Sequence, residues 1–392
     1  MTPPLAGVRL GAYGCAYFFA SGAFMSYWPV WLRDRGVADA EIGTLFMGRQ
    51  IVSVAATLLI GWLAHRLAGT RGLIAALGAA AALLMGLYEF AFGFAAILAV
   101  TLVWGTIWAP TMALYDGVVV PECKRLGFVY GRVRVWGSVA FIAGAFLCGL
   151  AVDRHGPAWT LYVGMAGILL LCPLALLLPV ATTEPRAPGA APTFGARDLL
   201  RQPAFLLFLA ATGLCQASHA VLYSFGTLTW RDAGIDDVTI SLLWAESVAI
   251  EIVLMLASGW LLLRLGVCGL IAFGLGCALV RWVAMAFTAD LPALVILQAL
   301  HAGSFAAAHL GAMAFLQRAV PAEGASLGQS LYYALGTGLT QAVMFQIAGL
   351  LYAEFAARAF LGMAVVALAG LVAITALARR WDGSSLVGPP QK

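Results

Sequence analysis

Charge is what this 392-residue chain has least of: 10% of its residues are Asp, Glu, Lys or Arg, whereas 62% are hydrophobic. A soluble globular domain carries about a quarter charged residues, so a water-exposed surface is excluded by composition alone. The formal charge of +4 is too small to build a nucleic-acid-binding face. Clustered cysteine is absent too. Cys15, Cys123, Cys148, Cys172, Cys215, Cys268 and Cys277 stand singly, without CxxC or metal-ligand spacing, and read as small hydrophobes rather than a disulfide or metal framework. There is no HExxH or Walker-type loop, and Gly336-Thr337-Gly338 follows no strand. An intramembrane enzyme or a transport-derived sensor is therefore disfavoured, and neither a cofactor nor a metal is expected. Without an ATP-binding segment, uphill work must draw on an ion gradient, of protons or of sodium. The first seven residues lack a basic cluster, so the first apolar run is expected to stay in the mature protein.

What is present is long apolar runs. About 20 apolar residues are needed for a helix to cross a bilayer, and charges with Gly/Pro punctuation divide the chain into twelve such runs: 9–32, 42–64, 73–93, 95–118, 133–152, 158–180, 204–229, 240–263, 267–288, 291–316, 326–353 and 356–378. Lys and Arg concentrate on one side of these spans (Arg9, Arg66, Arg71, Lys124, Arg125, Arg132, Arg186, Arg197, Arg201, Arg264, Arg318, Arg379, Arg380, Lys392). Arg33, Arg35, Arg154, Arg231 and Arg358 fall on the other. The excess marks the cytoplasmic side, which places both termini in the cytoplasm and the protein in the inner (cytoplasmic) membrane. The Pro/Ala/Gly-rich stretch 181–203 reads as a flexible cytoplasmic linker. It divides an N-terminal bundle of six spans, 1–180, from a C-terminal one, 204–379, with a tail at 380–392.

The halves repeat each other. RDRGVADAEIGTLF at 33–46 aligns with RDAGIDDVTISLLW at 231–244 through Arg33/Arg231, Asp34/Asp232, Gly36/Gly234, Asp39/Asp237, Ile42/Ile240 and Leu45/Leu243. In the same register GWLAHRL at 61–67 aligns with GWLLLRL at 259–265. A parallel duplication of six spans is the architecture of alternating-access transporters with substrate bound between the bundles. The fold class is thus an all-α membrane protein of twelve transmembrane helices in two six-helix bundles.

An ionisable side chain inside a span costs at least ~2.5–3.5 kcal/mol, so each needs a partner or a function. The inventory is Arg49, Arg134 and Arg281 against Asp116, Glu246 and Glu251, with Glu89 near the outer end of the third span. Asp116 and Arg134 fall at the inner parts of neighbouring spans and can face each other, either as a plain helix-to-helix pair or as a site. The guanidinium is a fork suited to a carboxylate. Glu251 is the leading proton carrier; Glu246 lies five residues earlier, about 140° around the helix, and cannot share its face. His219, His301 and His309 are available for a relay. Aromatic residues such as Trp136 beside Arg134 are candidates for an apolar slot.

With these residues in view, the chain resembles the major facilitator superfamily. The loop between the second and third spans carries its gating pattern as Gly61, Leu63, Ala64, His65, Arg66, Gly69 and Arg71, with a histidine in place of the usual acid. Within the superfamily it is similar to the phenylpropionate permease branch of proton symporters, and more distantly to the lactose permease. That similarity rests on Tyr17-Phe18-Phe19, Trp28, Trp31-Leu32, Asp116, the block YGRVRVWGSVAF at 130–141, His219, Glu251, Arg281-Trp282, His301 and His309. The resemblance implies a major facilitator fold, with substrate on Arg134, Asp116 and Arg281. It also implies proton coupling through Arg281, His301 and an acid. The lactose permease keeps a glutamate three residues after the histidine, where this chain has Ser304, so the proton is expected on Glu251 or Glu246. The expected function is import of a small aromatic carboxylate with a proton, by a monomer whose partners are an organic acid, protons and the bilayer. A proton-coupled sugar or nucleoside symporter is the alternative.

Overall fold

The computed structural model describes residues 3–64, 70–179 and 194–387. Helix dominates because an apolar chain in a bilayer must satisfy its backbone within each segment. The first six helices are α1 (Pro3–Asp34), α2 (Asp39–Ala64), α3 (Thr70–Leu87), α4 (Gly93–Arg125), α5 (Tyr130–His155) and α6 (Trp159–Leu177). The next are α7 (Pro203–Asp232, broken near Ser218 and His219), α8 (Asp237–Leu256), α9 (Ser258–Met285) and α10 (Leu291–Ala319). Helix α11 runs from Ala325–Leu331 through a π-helical stretch, Tyr332–Leu339, into Thr340–Phe355, and α12 is Ala359–Arg380.

Ten segments meet the length and hydropathy needed to span a bilayer. One of them, Ala322–Arg380, contains two helices separated by a turn at Ala356, whose φ is +47°. Together with α1 this makes twelve among the described residues, agreeing with the spans read from sequence. The break between the eighth and ninth spans falls at Gly266, inside α9, where φ is +67°.

The repeat read from sequence reappears as geometry. Gly36 and Gly234 have φ of +78° and +87°, a conformation that glycine adopts without strain. Each ends its helix with the same pair of bonds: Gly36 N–H to the Arg33 carbonyl (3.0 Å) and Val37 N–H to Leu32 (3.1 Å); Gly234 to Arg231 (2.9 Å) and Ile235 to Trp230 (3.0 Å). The following helices open on paired charges, Arg33 with Asp39 at 3.0 Å and Arg231 with Asp237 at 3.1 Å. Asp236 caps α8 by accepting from the Thr239 amide and hydroxyl, which holds its pKa below the ordinary carboxylate value.

The helices pack as two compact units, Met1–Thr182 with Tyr223–Ala249, and Thr183–Leu222 with Ile250–Lys392. In the first, α1 and α5 touch at small residues: a Cβ on Gly144 would overlap the Phe19 carbonyl oxygen, and one on Gly22 the Phe141 carbonyl oxygen. Such close approach drives helix association where the hydrophobic effect cannot. In the second, Phe208 stacks on Phe315 at 4.1 Å within a buried core that includes Phe205, Leu209, Ile271 and Tyr332. Parts of the segments read from sequence as linker and tail lie among the described residues. Residues 196–200 form a helical turn with Leu199 and Phe194 buried, and Leu386 N–H bonds the Ala319 carbonyl at 2.9 Å. Their few apolar side chains join this core.

Candidate functional site

The charges inside the helices gather into two clusters, one in each unit. In the first unit the Arg134 guanidinium lies over the Phe18 ring, with 3.7 Å between Cζ and the ring centroid. Gly137, one turn along α5, makes this possible. A Cβ there would come within 2.7 Å of Phe18 Cδ2 and 2.9 Å of Arg134 Nη1. The sequence pattern of arginine and glycine three apart thus has a steric meaning. Asp116 does not form an ion pair with Arg134; its Oδ1 accepts from the Tyr130 hydroxyl at 2.6 Å. The plain helix-to-helix pair is therefore absent, and both groups are half-buried. Alongside runs an aromatic stack: Tyr17 on Trp108 at 4.4 Å and Trp108 on Trp104 at 5.0 Å.

Trp136 is not brought to this cluster. Two residues beyond Arg134, it turns about 200° around α5, away from the edge that Gly137 and Phe141 pack on α1, and is 62% exposed. The outer-end acid Glu89 is held by Arg35 at 2.8 Å.

The second unit holds a continuous hydrogen-bond chain. Arg281, fully buried on α9, reaches α10 three times: Nη1 to His301 Nδ1 (2.9 Å), Nη1 to the Ser304 hydroxyl (2.8 Å) and Nη2 to Gln298 Oε1 (2.7 Å). His301 Nε2 faces Glu251 Oε1 at 3.0 Å. A guanidinium only donates, so His301 Nδ1 is the acceptor and the ring proton sits on Nε2, donating to Glu251 Oε1. A second proton on the histidine would set Nδ1–H against Arg281. His219, at the break in α7, closes the chain: Nε2 meets the Ser304 hydroxyl at 3.0 Å and Nδ1 the Cys215 carbonyl at 3.0 Å. His309 lies within electrostatic reach of Glu251, its Nδ1 3.5 Å from the Tyr332 hydroxyl. Residues 302–307 of α10 form a π-helical turn, a distortion frequent at functional sites.

Glu246 falls in the other unit from Glu251 and takes no part in this chain. Ser304 and Gln298 were not singled out as binding residues by sequence reasoning, although Ser304 stood out as the departure from the lactose permease pattern. Both are neutral polar residues in an apolar run, and that was their only signal. Of the residues expected in the gating loop, Gly61 lies in the last turn of α2 and Arg71 donates to the Leu178 carbonyl at 3.5 Å. Arg66 and Gly69 lie outside the described residues.

Twelve apolar helices enclosing charged clusters define the class, a multi-pass membrane transporter, and comparison with known proteins carries this to a family. Residues 11–362 match the family described as "MFS_1 like family". The chain belongs to that family, within the major facilitator superfamily, and it is a transporter of a small molecule rather than an enzyme. The chain is 32% identical to the "Probable 3-phenylpropionic acid transporter" of Escherichia coli (strain K12), over 90% of this chain and 93% of that protein. It is 26% identical to the maltose permease of Geobacillus stearothermophilus, over 93% and 92%. Among solved structures, the nucleoside transporter NupG superposes with a TM-score of 0.85 at 18% identity, covering 97% of this chain and all of that one. That likeness is one of fold.

Proposed function

We propose that the protein imports an aryl-substituted monocarboxylate with a proton by alternating access, in the cytoplasmic membrane, with both termini in the cytoplasm and as a monomer. The two six-helix halves would be 1–180 and 204–379, joined by 181–203. The observation that carries the substrate reading is the Arg134 guanidinium. It lies over the Phe18 ring with no carboxylate in contact, and Asp116 accepts from Tyr130 instead. A fork with no carboxylate in contact, beside stacked aromatic rings, suits a ligand with a carboxylate at one end and a ring at the other. The relative named as a probable 3-phenylpropionic acid transporter supports the same substrate class.

The proton reading rests on the second cluster. With Glu251 ionised, its charge compensates Arg281 through His301. Protonating Glu251 removes that compensation and leaves a buried guanidinium short of an anion, so proton and anion enter together. His301 transmits the change; Ser304 and Gln298 hold Arg281 in place. One observation favours a second reading, a sugar or nucleoside: the half-buried Asp116 carboxylate beside Arg134 could accept hydroxyl groups, and the maltose permease is a relative.

Arg134→Lys tests the substrate assignment. Lysine keeps the charge but loses the planar fork and its stacking on Phe18. Uptake of 3-phenylpropionate should fall at least about 10-fold, with 1.4 kcal/mol corresponding to each tenfold, while membrane insertion is unchanged. Uptake at the wild-type rate would remove Arg134 from the site.

A further inference from the structure

Arg49 takes no part in the site described above. It lies on α2, within a span of 22 residues, Asp39–Ile60. Among the described residues it forms no ion pair, and its Nε is shut off from solvent without a hydrogen-bond partner. The guanidinium carbon stands 5.6 Å from the Phe46 ring. Its stem passes Gly105 of α4, where a Cβ would come within 3.1 Å of Arg49 Cγ. A glycine therefore makes room for Arg49 as Gly137 does for Arg134. The Tyr17 hydroxyl is within electrostatic reach of Arg49, Arg134 and Asp116, so the three charges border one region.

Their sum is unbalanced. Inside α1–α6 there are two guanidiniums and one carboxylate; the remaining charged groups of these helices lie toward their ends. Asp116 is engaged by Tyr130, and the guanidinium acting on it is that of Arg134. Glu246, on α8 of the same unit, forms no ion pair among the described residues. Phenol and ring contacts offset only part of the cost of a cation in a span. One positive charge is therefore left without a counter-ion.

We infer that Arg49 sets the charge class of the ligand: it is a specificity-determining residue that balances one negative charge, so a monoanion is taken over neutral and doubly charged ligands of the same shape. The inference rests on the reading that an aryl carboxylate binds beside Arg134. A monoanion leaves the interior of α1–α6 neutral, an amide leaves it positive and a dianion leaves it negative.

The test is ligand binding to the purified full chain, read by tryptophan fluorescence, with 3-phenylpropionamide, 3-phenylpropionate and benzylmalonate as probes. The wild-type protein should bind the monoacid about 10-fold more tightly than either of the others, each tenfold corresponding to 1.4 kcal/mol. In Arg49→Gln the preference for acid over amide should vanish or reverse, and Arg49→Lys should keep it. If the glutamine variant does not fold, Arg49→Met, which leaves an apolar stem in the bilayer, takes its place with the same expectation. A folded Gln or Met variant that keeps the wild-type order overturns the inference and leaves the aryl-acid reading standing. Wild-type protein that binds none of the three probes overturns both.

Discussion

At the scale of the residue, Ser304 and Glu251 separate architecture from chemistry. The Ser304 hydroxyl accepts from Arg281 and meets His219, two fully buried groups on different helices. Removing a partner from a buried donor costs about 1–3 kcal/mol. Ser304→Ala should lower stability by that amount in thermal unfolding, and an unchanged melting temperature would show that the hydroxyl is not the hub of the cluster. Glu251→Gln has the opposite signature. A glutamine oxygen still accepts from His301 Nε2–H, so the fold should be kept, but no proton is carried. Accumulation should be abolished while exchange of substrate across the membrane continues; pH-driven accumulation by this variant would move the proton to Asp116, Glu246 or a histidine. Arg281, His301 and Glu251 were legible in sequence because ionisable residues in apolar runs stand out. The contacts of Ser304, Gln298, Tyr130 and Phe18 were not, since these come from which helices meet.

At the scale of the element, glycine and ion pairs play distinct roles. The α1 to α5 contact depends on Gly144, where a side chain would run into the Phe19 carbonyl. Overpacking of this kind costs about 1–3 kcal/mol, so Gly144→Ala should destabilise the purified protein by that much, and a neutral effect would mean that the helices separate freely there. Arg33 also reaches Asp232 at 2.9 Å, but Asp232 is 57% exposed. Asp232→Asn should therefore change stability by less than about 1 kcal/mol. The pairing of Gly36 with Gly234 was readable in advance because the repeat is written locally, in the matching residues of 33–46 and 231–244. Trp136 was misjudged as a neighbour of Arg134 for a related reason: proximity in sequence along a helix sets angle as well as distance, and two residues turn a side chain to the other side.

At the scale of the whole molecule, the duplication and the scarcity of charge were sufficient to reach twelve helices and a transporter. Both are global properties that survive uncertainty at individual boundaries. The substrate is a different matter, because in the proposed reading it depends on a small number of side chains drawn together from α1, α2, α4 and α5. The central claim is that an aryl acid is moved by the proton gradient. Its most direct test is pH-gradient-driven uptake into proteoliposomes, comparing labelled 3-phenylpropionate with maltose and a nucleoside, with and without a protonophore. The account predicts accumulation of the aryl acid alone, abolished by the protonophore. Accumulation of a neutral sugar or nucleoside, or aryl-acid accumulation indifferent to the protonophore, would contradict it.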